Sequence, residues 1–419
     1  MVILALKVYV LFVVFVMVVY AVRHYLFIVS RAEDEQRSFY QDIVDSDLPL
    51  ISVLIPMHNE QDVAGDVLDA LIKTDYPKDK LEIVPVNDHS EDRTEEILNE
   101  YASKYSYIKP FHRNTGRRGK PSALNEAMRR IKGEVIIVFD ADYVPPKGIL
   151  KDLANSFRDP EVGAVMGRVI PENTRTNLLT RLLDLERTGG YQVDQQARYN
   201  LKLVPQYGGT VGGFRKSVVL DLGGFDPDVL AEDTELTYRL LVRGWKVIYA
   251  NRVECYEEAP EDWDTRANQI KRWSRGHNQA MFKHLIPLIR SPYLSFKEKL
   301  DGLLLLFIYA VPVLLLTGYL DSIALFFLGE MQVVESLFVF LFVAGYNTFG
   351  NFAPFYQVGT ASFLDGATDR IRLLPFMLFN FVFNLWYITR GFLGAVKDTM
   401  SGRAAEWQKT RRFRRAATP

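Results

Sequence analysis

Uncharged apolar runs bracket this chain, and they limit the folds open to it more than any other feature. Val8 to Val22 carries no charge, with Lys7 and Arg23 at its ends, and the same holds for Gly302 to Leu320, Ser336 to Leu364 and Leu373 to Thr389. Runs of about twenty apolar residues suit helices crossing a hydrocarbon core about 30 Å thick. A large soluble helical core is the competing reading, but such runs lack the polar face a surface helix needs. For the first run a cleaved signal peptide also competes. No A-x-A-like site follows it, however, and the next residues are RAEDEQR, so it reads as an anchor whose Lys7 and Arg23 can snorkel.

Between these runs the pattern changes. From Leu50 to about Ala259, short apolar segments (ISVLIPM, LEIVPVND, EVIIVFDAD) alternate with longer polar segments of helical spacing, such as Gln61 to Lys73 and Asp92 to Tyr105. Buried parallel strands with crossover helices produce that alternation, so the centre is expected to be α/β with a mixed, mainly parallel sheet. Ligands of such sheets bind beyond the carboxyl ends of the strands. There the sequence reads PMHNE, VNDHSEDRT and FDADYVPP, which brings Asn59, Glu60, Asp88, Asp140 and Asp142 to one rim. The 50 basic residues balance 51 acidic ones, giving no basis for a nucleic-acid partner. The single cysteine, Cys255, excludes an intramolecular disulfide and a Cys-rich zinc site.

Several stretches carry chemistry. Asp140 and Asp142 lie two apart on an extended run, so their carboxylates share a side. Their repulsion is relieved by a hard divalent cation, Mg²⁺ or Mn²⁺, which can also bridge phosphate oxygens; solvated turn aspartates are the plain alternative. In RRGKPSALNEAM, Gly119 and Lys120 open a helix whose N-terminus, with Arg117, Arg118 and Lys120, offers a phosphate site without P-loop spacing. In LAEDTELTYRL, Glu232 and Asp233 stand at a helix start, which the helix dipole favours on its own. Asp233 is the candidate base for a nucleophile attacking beside a diphosphate leaving group. Gln269, Arg272 and Trp273 fall at i, i+3 and i+4, so one helix face presents an amide, a guanidinium and an indole. An amphipathic interfacial helix would explain Trp273 and Arg272 but not Gln269.

In chain order, VLIPMHNE, VNDHSEDRT, GKPSALNEAM, FDADYVPP, GGTVGGFRKSVVLDLGGFD, AEDTELTYRL and QIKRW resemble the family-two glycosyltransferases of GT-A fold. Within them they resemble the processive membrane β-glycan synthases of cellulose, hyaluronan, chitin and poly-N-acetylglucosamine type. The resemblance covers about Ile51 to Gly276 and the flanking apolar segments. It implies that Asn59, Glu60 and Asp88 lie along the nucleoside, with Asp88 at uracil, and that Lys120 approaches the nucleotide. Asp140 and Asp142 would be the D-x-D metal pair, with Asp142 the direct ligand, and Asp233 the base. Glu232, Gln269, Arg272 and Trp273 would face acceptor and diphosphate. Two departures stand out: Asn87 replaces an aspartate often found beside Asp88, and Ala231 replaces a threonine before Glu232.

The expected organisation is an N-terminal anchor over 1–29, a cytoplasmic GT-A domain over 50–260 and amphipathic interface helices over 261–300. A C-terminal transmembrane region follows over 301–396, then a basic tail over 397–419. The expected reaction is inverting, metal-dependent transfer from a UDP-sugar in an integral membrane enzyme, giving a β-glycoside. Processive polymer synthesis is the first reading, and transfer of one sugar to a lipid acceptor, as in ceramide glucosyltransferases, is the alternative. A non-catalytic transporter or scaffold is the rival of another class. The tail KTRRFRRAATP should face the cytoplasm. Three C-terminal spans would leave it outside, so one apolar stretch must be re-entrant or interfacial, or cross more than once.

Overall fold

A computed structural model describes residues 1–35, 48–330, 345, 350–402 and 411–413. The centre is a seven-stranded sheet of β1 (Ile51–Met57), β2 (Leu81–Asp88), β3 (Phe111–Arg113), β4 (Val135–Val138), β5 (Val162–Pro171), β6 (Gly212–Arg215) and β7 (Lys246–Glu257), in the order β3-β2-β1-β4-β6-β5-β7. The β3-β2-β1-β4 half is parallel throughout, while β6 runs antiparallel to both β4 and β5. The apolar runs of β1, β2 and β4 are buried on both faces because helices cover them. These are α2 (Ala64–Ile72), α3 (Thr94–Lys104), α4 (Lys120–Met128) and α5 (Ile149–Asn155). The α/β class with a mixed, mainly parallel sheet is as the sequence pattern requires. Because β2, β1 and β4 are neighbours and parallel, their carboxyl ends open on one rim.

The second half of the chain builds a shelf against that rim. Helix α6 (Leu178–Thr188), capped by Asn177 accepting from the Thr180 amide at 3.0 Å, passes into a seven-residue π-helix, Gly189–Gln195, and then α7 (Gln196–Asn200). Helix α8 (Lys216–Asp221) leads to α9 (Glu232–Val242), and α10 (Trp263–Arg290) then runs 28 residues along the shelf, capped by Asp262.

Among the described residues, two helices are long and apolar enough to cross a membrane: α1 (Val2–Glu33), and the stretch Thr368–Ser401 that ends in α14 (Met377–Ser401). Helices α11 (Phe296–Phe307) and α12 (Val311–Phe327) meet at a 66° bend, so the apolar run Gly302 to Leu320 is broken in the middle. Helix α13 (Ala353–Leu364) has 12 residues, about 18 Å of rise, too little to span. The remainder of the Ser336 to Leu364 run lies largely outside the described residues. Arg412 and Phe413 lie against the rim of the sheet, bonded to Glu60 and Glu258, so the described part of the tail is on the sheet's side.

Arg23 does not snorkel. It is buried, donating to Asp301 Oδ1 (3.2 Å) and Asp194 Oδ2 (3.1 Å), because two carboxylates from the shelf and from α11 reach α1 and satisfy the guanidinium in place. Lys7 pairs with Glu330 at 2.7 Å.

Candidate active site

One cavity of about 1400 Å³ opens between the strand rim and the shelf. Its lining includes Glu60, Asp88, Lys120, Asp140, Asp142, Glu232, Asp233, Gln269, Arg272 and Trp273, and also Leu305, Ile308, Val358, Met377 and Phe381. Residues 60 to 273 of the sequence thus converge on one space, and the space runs on towards the apolar helices.

At the rim of β4, Lys120 Nζ donates to Asp140 Oδ1 (2.7 Å) and to the Gly209 carbonyl (2.9 Å), and lies 3.8 Å from Glu232 Oε1. It is the most enclosed basic residue of the RRGK stretch. Arg117, paired with Asp228 (2.6 Å) and the Pro227 carbonyl, and Arg118, facing Glu91 at 3.7 Å, also line the cavity but are far more exposed. Gly119 takes φ +119° ahead of α4 and its amide donates to Asp88 Oδ2 (2.7 Å).

Asp88 is buried and already well occupied, its Oδ1 also meeting Arg113 and the His89 ring. It therefore fixes the Gly119 loop as well as lining the cavity. Asn87, one residue earlier on the strand, points to the opposite face and meets His112 at 3.1 Å. Asn59 does not line the cavity: at φ +54° its Oδ1 accepts from the Glu91 amide (2.7 Å) and its own amide donates to Ser90 Oγ (2.9 Å). It ties the loop after β1 to the loop after β2 because that turn directs its side chain between them.

Asp142 is buried, and burial pushes its carboxyl up to about 7, against the opposing pull of Arg412 and with Asp140 and Glu60 adding to the rise. Arg412 comes from the far end of the chain. Its Nη1 lies 2.7 Å from Asp142 Oδ2, and its Nε and Nη2 donate to Glu60 at 3.0 and 2.9 Å. The neighbouring Phe413 amide donates to Glu258 (3.1 Å). Sequence reasoning read KTRRFRR only for its topology. The signal for Arg412 was the basic run itself, but nothing local says that it returns to a strand rim.

Asp233 is the second residue of α9, its Oδ1 accepting from the Thr234 amide (2.7 Å). Gly209, at φ +80°, leaves it room, since a Cβ there would sit 3.0 Å from Asp233 Oδ2. Burial and the neighbouring Asp233 raise the Glu232 carboxyl, with Lys120 opposing. His277, stacked on Tyr309 at 4.4 Å and 3.2 Å from Thr234 Oγ1, is held down to about 4 by burial, so it is neutral at pH 7. Burial also lowers Arg272, though Glu232, Asp140 and Asp233 oppose it. Gln269 Oε1 accepts from Arg266 (2.9 Å), and the Trp273 ring has the guanidinium carbons of Arg187 and Arg266 at 4.9 and 5.4 Å.

Among the described residues no three His, Cys, Asp or Glu side chains gather into a metal cage. The carboxylates present nevertheless fit a hard divalent ion. Asp142 holds a guanidinium, a cation in the place such an ion would take, and Asp140 stands nearby with Lys120. Such an ion would complete its shell from phosphate oxygens and water.

A sequence profile described as "Glycosyltransferase like family 2" matches residues 49–276. "Probable glycosyltransferase YdaM" of Bacillus subtilis is 39% identical over 243 residues, covering 57% of this chain and 58% of that protein. "Beta-monoglucosyldiacylglycerol synthase" of Synechocystis sp. is 31% identical over 255 residues, covering 60% of this chain and 53% of that protein. The chain thus spans a little over half the length of these curated relatives. The solved structure of "Mannosyltransferase PcManGT from Pyrobaculum calidifontis in complex with GDP-Man and Mn2+" superposes with a TM-score of 0.64 at 22% identity, over 94% of this chain and 99% of that one. At that identity the likeness establishes the fold.

Proposed function

The chain belongs to the glycosyltransferase-like family 2, and from that membership and its cavity we propose that it is a membrane-associated inverting glycosyltransferase, taking a sugar from a UDP-sugar and passing it to a lipid hydroxyl. The observation that carries this reading is that one cavity is lined both by Asp233, Lys120 and Asp140 from the rim and shelf and by Leu305, Ile308, Val358, Met377 and Phe381 from the apolar helices. A sugar nucleotide suits the charged lining. An acceptor arriving from the bilayer suits the apolar lining, as the name of the Synechocystis relative also suggests for that protein.

Asp233 accepts the proton of the acceptor hydroxyl as its oxygen attacks the sugar's anomeric carbon. The bond to the diphosphate oxygen breaks from the opposite side, so configuration inverts in one displacement. Lys120, Arg272 and Arg412 supply positive charge where the leaving diphosphate gains negative charge. A divalent ion held by Asp140 and Asp142 would add Lewis-acid stabilisation of that leaving group. Asp88 and the Gly119 loop border the nucleoside, Glu60 gives up Arg412 as the donor enters, and Glu232, Gln269 and Trp273 face the acceptor.

Processive synthesis is the second reading, favoured by Trp273 standing in the same cavity as Asp233. Two polar residues beside the apolar helices, which such a path could use, are otherwise engaged: Tyr309 stacks on His277, and Asn384 bonds Glu186 at 3.3 Å. Purified full-length protein supplied with UDP-glucose, UDP-N-acetylglucosamine or UDP-glucuronate and diacylglycerol vesicles tests the choice. One sugar on lipid is expected. A long polymer would replace the lipid reading with the processive one, and no nucleotide release from any donor would reject both. Asp233→Asn should cut transfer by roughly 10²-fold or more while UDP still binds.

A further inference from the structure

Two carboxylate-guanidinium pairs, each with one buried and one part-buried partner, flank the indole of Trp273, and one of them reaches the last apolar helix. Glu186, near the end of α6, takes Arg266 Nη2 on its Oε1 (2.6 Å). Its Oε2 accepts from Asn380 (3.0 Å) and Asn384 (3.3 Å), both on α14. Arg266, 1% exposed, spends its other arm on Gln269 Oε1 (2.9 Å) and lies 5.4 Å from the Trp273 ring centre. On the sheet side, Arg187 donates to Glu257 (2.7 Å), which also takes the Tyr143 hydroxyl (2.8 Å).

We infer that Glu186 and Arg266 form a positioning pair that sets the orientation of Gln269 and Trp273 and ties it to the placement of α14. A guanidinium can only donate, so its bond to Gln269 fixes which end of that amide is oxygen. The Gln269 NH₂ is then the end left for the cavity, a donor for a hydroxyl or a phosphate oxygen. The carboxylate holds the guanidinium, and the two asparagines hold the carboxylate. Burial alone would raise the Glu186 carboxyl, but Arg266 and Asn380 outweigh it and keep the group charged. A shift of α14 therefore reaches Gln269 through three successive side chains with little slack, since charge-assisted bonds of this kind are short and directional. The pair touches no reacting atom; it acts through the two residues proposed to meet the acceptor, and so rests on the transferase reading above.

The test uses full-length protein in detergent with the UDP-sugar that the wild type turns over. Breaking the pair by Arg266→Gln leaves the part-buried Glu186 carboxylate without its cation and can unfold the chain, so Glu186→Met with Arg266→Met is made alongside it, keeping volume without charge. Three quantities are read: melting temperature, UDP affinity in the presence of Mn²⁺, and transfer rate against acceptor concentration. The expected result for the double-Met variant is an unchanged melting temperature and UDP affinity, with transfer reduced about 10- to 100-fold, as for a misplacement near 1 Å. Asn380→Ala should reduce transfer in the same sense by a smaller factor. Wild-type transfer in the double-Met variant overturns the inference, as does a loss of UDP affinity matching the loss of transfer. Absence of transfer by the wild type with every donor is a failure of the transferase reading instead.

Discussion

Replacing Gly276 by alanine should separate stability from catalysis in this protein. Gly276 lies on α10 where the helix crosses the segment leading into Asp233. An added Cβ would stand 2.4 Å from the Ala231 amide nitrogen, 2.8 Å from the Ala231 Cβ and 2.8 Å from the Leu230 carbonyl carbon. Ordinary carbon contacts lie near 3.5–4.0 Å, so the two backbones must part by about 1 Å, and no rotamer change can absorb it. Helix α10 cannot retreat, because Gly391 of α14 is pressed against its other side, where a Cβ would sit 2.6 Å from both the Lys271 carbonyl oxygen and the Ser274 Cβ. Overpacking of this kind costs about 1–3 kcal/mol, partly offset by about 1 kcal/mol from the better helix propensity of alanine. The melting point should fall by a few degrees at most. Activity should fall much further: Glu232 and Asp233 follow Ala231 directly, and a 1 Å misplacement of a catalytic group costs about 10²-fold. The assay pairs thermal unfolding with UDP release from the preferred donor. Gly148→Ala, whose Cβ meets nothing closer than 3.6 Å, is the control. Near-normal turnover by Gly276→Ala, with the control also active, would refute the claim that this crossing places the base.

Other perturbations probe separate parts of the site. Burial works to raise Glu235, but His284 at 3.0 Å, Arg239 at 2.6 Å and Lys283 at 2.8 Å outweigh it and bring its carboxyl down to about 2. A folded-state value below the unfolded one stabilises above pH ~4.5, and the contribution, about 3 kcal/mol, is lost as pH falls towards 2. Glu235→Gln should therefore be less stable at pH 7 and show a shallower acid transition in urea melts; an unchanged acid limb argues against this. His277, neutral and held near 4, adds a second loss as pH falls from about 6.5 to 4, and His277→Gln should remove that segment of the stability profile. Arg412→Ala should raise the donor KM about tenfold or more, as for a lost charge-assisted bond, and an unchanged KM would mean that Arg412 leaves the site before the donor arrives. Chelation by EDTA should abolish turnover and Mn²⁺ should restore it; full activity in EDTA would remove the metal from the mechanism.

What the sequence determines here is what spacing along one element can encode. Alternating apolar and polar runs specify buried strands and crossover helices, and a strand's end specifies which residues reach the rim, so the pattern alone assigns Glu60, Asp88, Asp140 and Asp142 to the rim, where they line the cavity. Helical spacing likewise put Gln269 and Trp273 on one face, and both line the cavity. Asn59 escaped this logic, because a positive φ at one residue turned its side chain into a loop pair that periodicity cannot see. Three further features belong to tertiary structure alone. Arg23 is buried beside Asp194 and Asp301, 171 and 278 residues away. The apolar run beginning at Gly302 bends by 66° where composition alone suggests one straight span. Arg412 returns to Glu60 across 352 residues. For Arg23 and Arg412 a buried or cavity-facing charge is stable only with a partner. Which partner can reach such a charge, and where an apolar run bends, depends on how layers pack, and neither composition nor spacing records that.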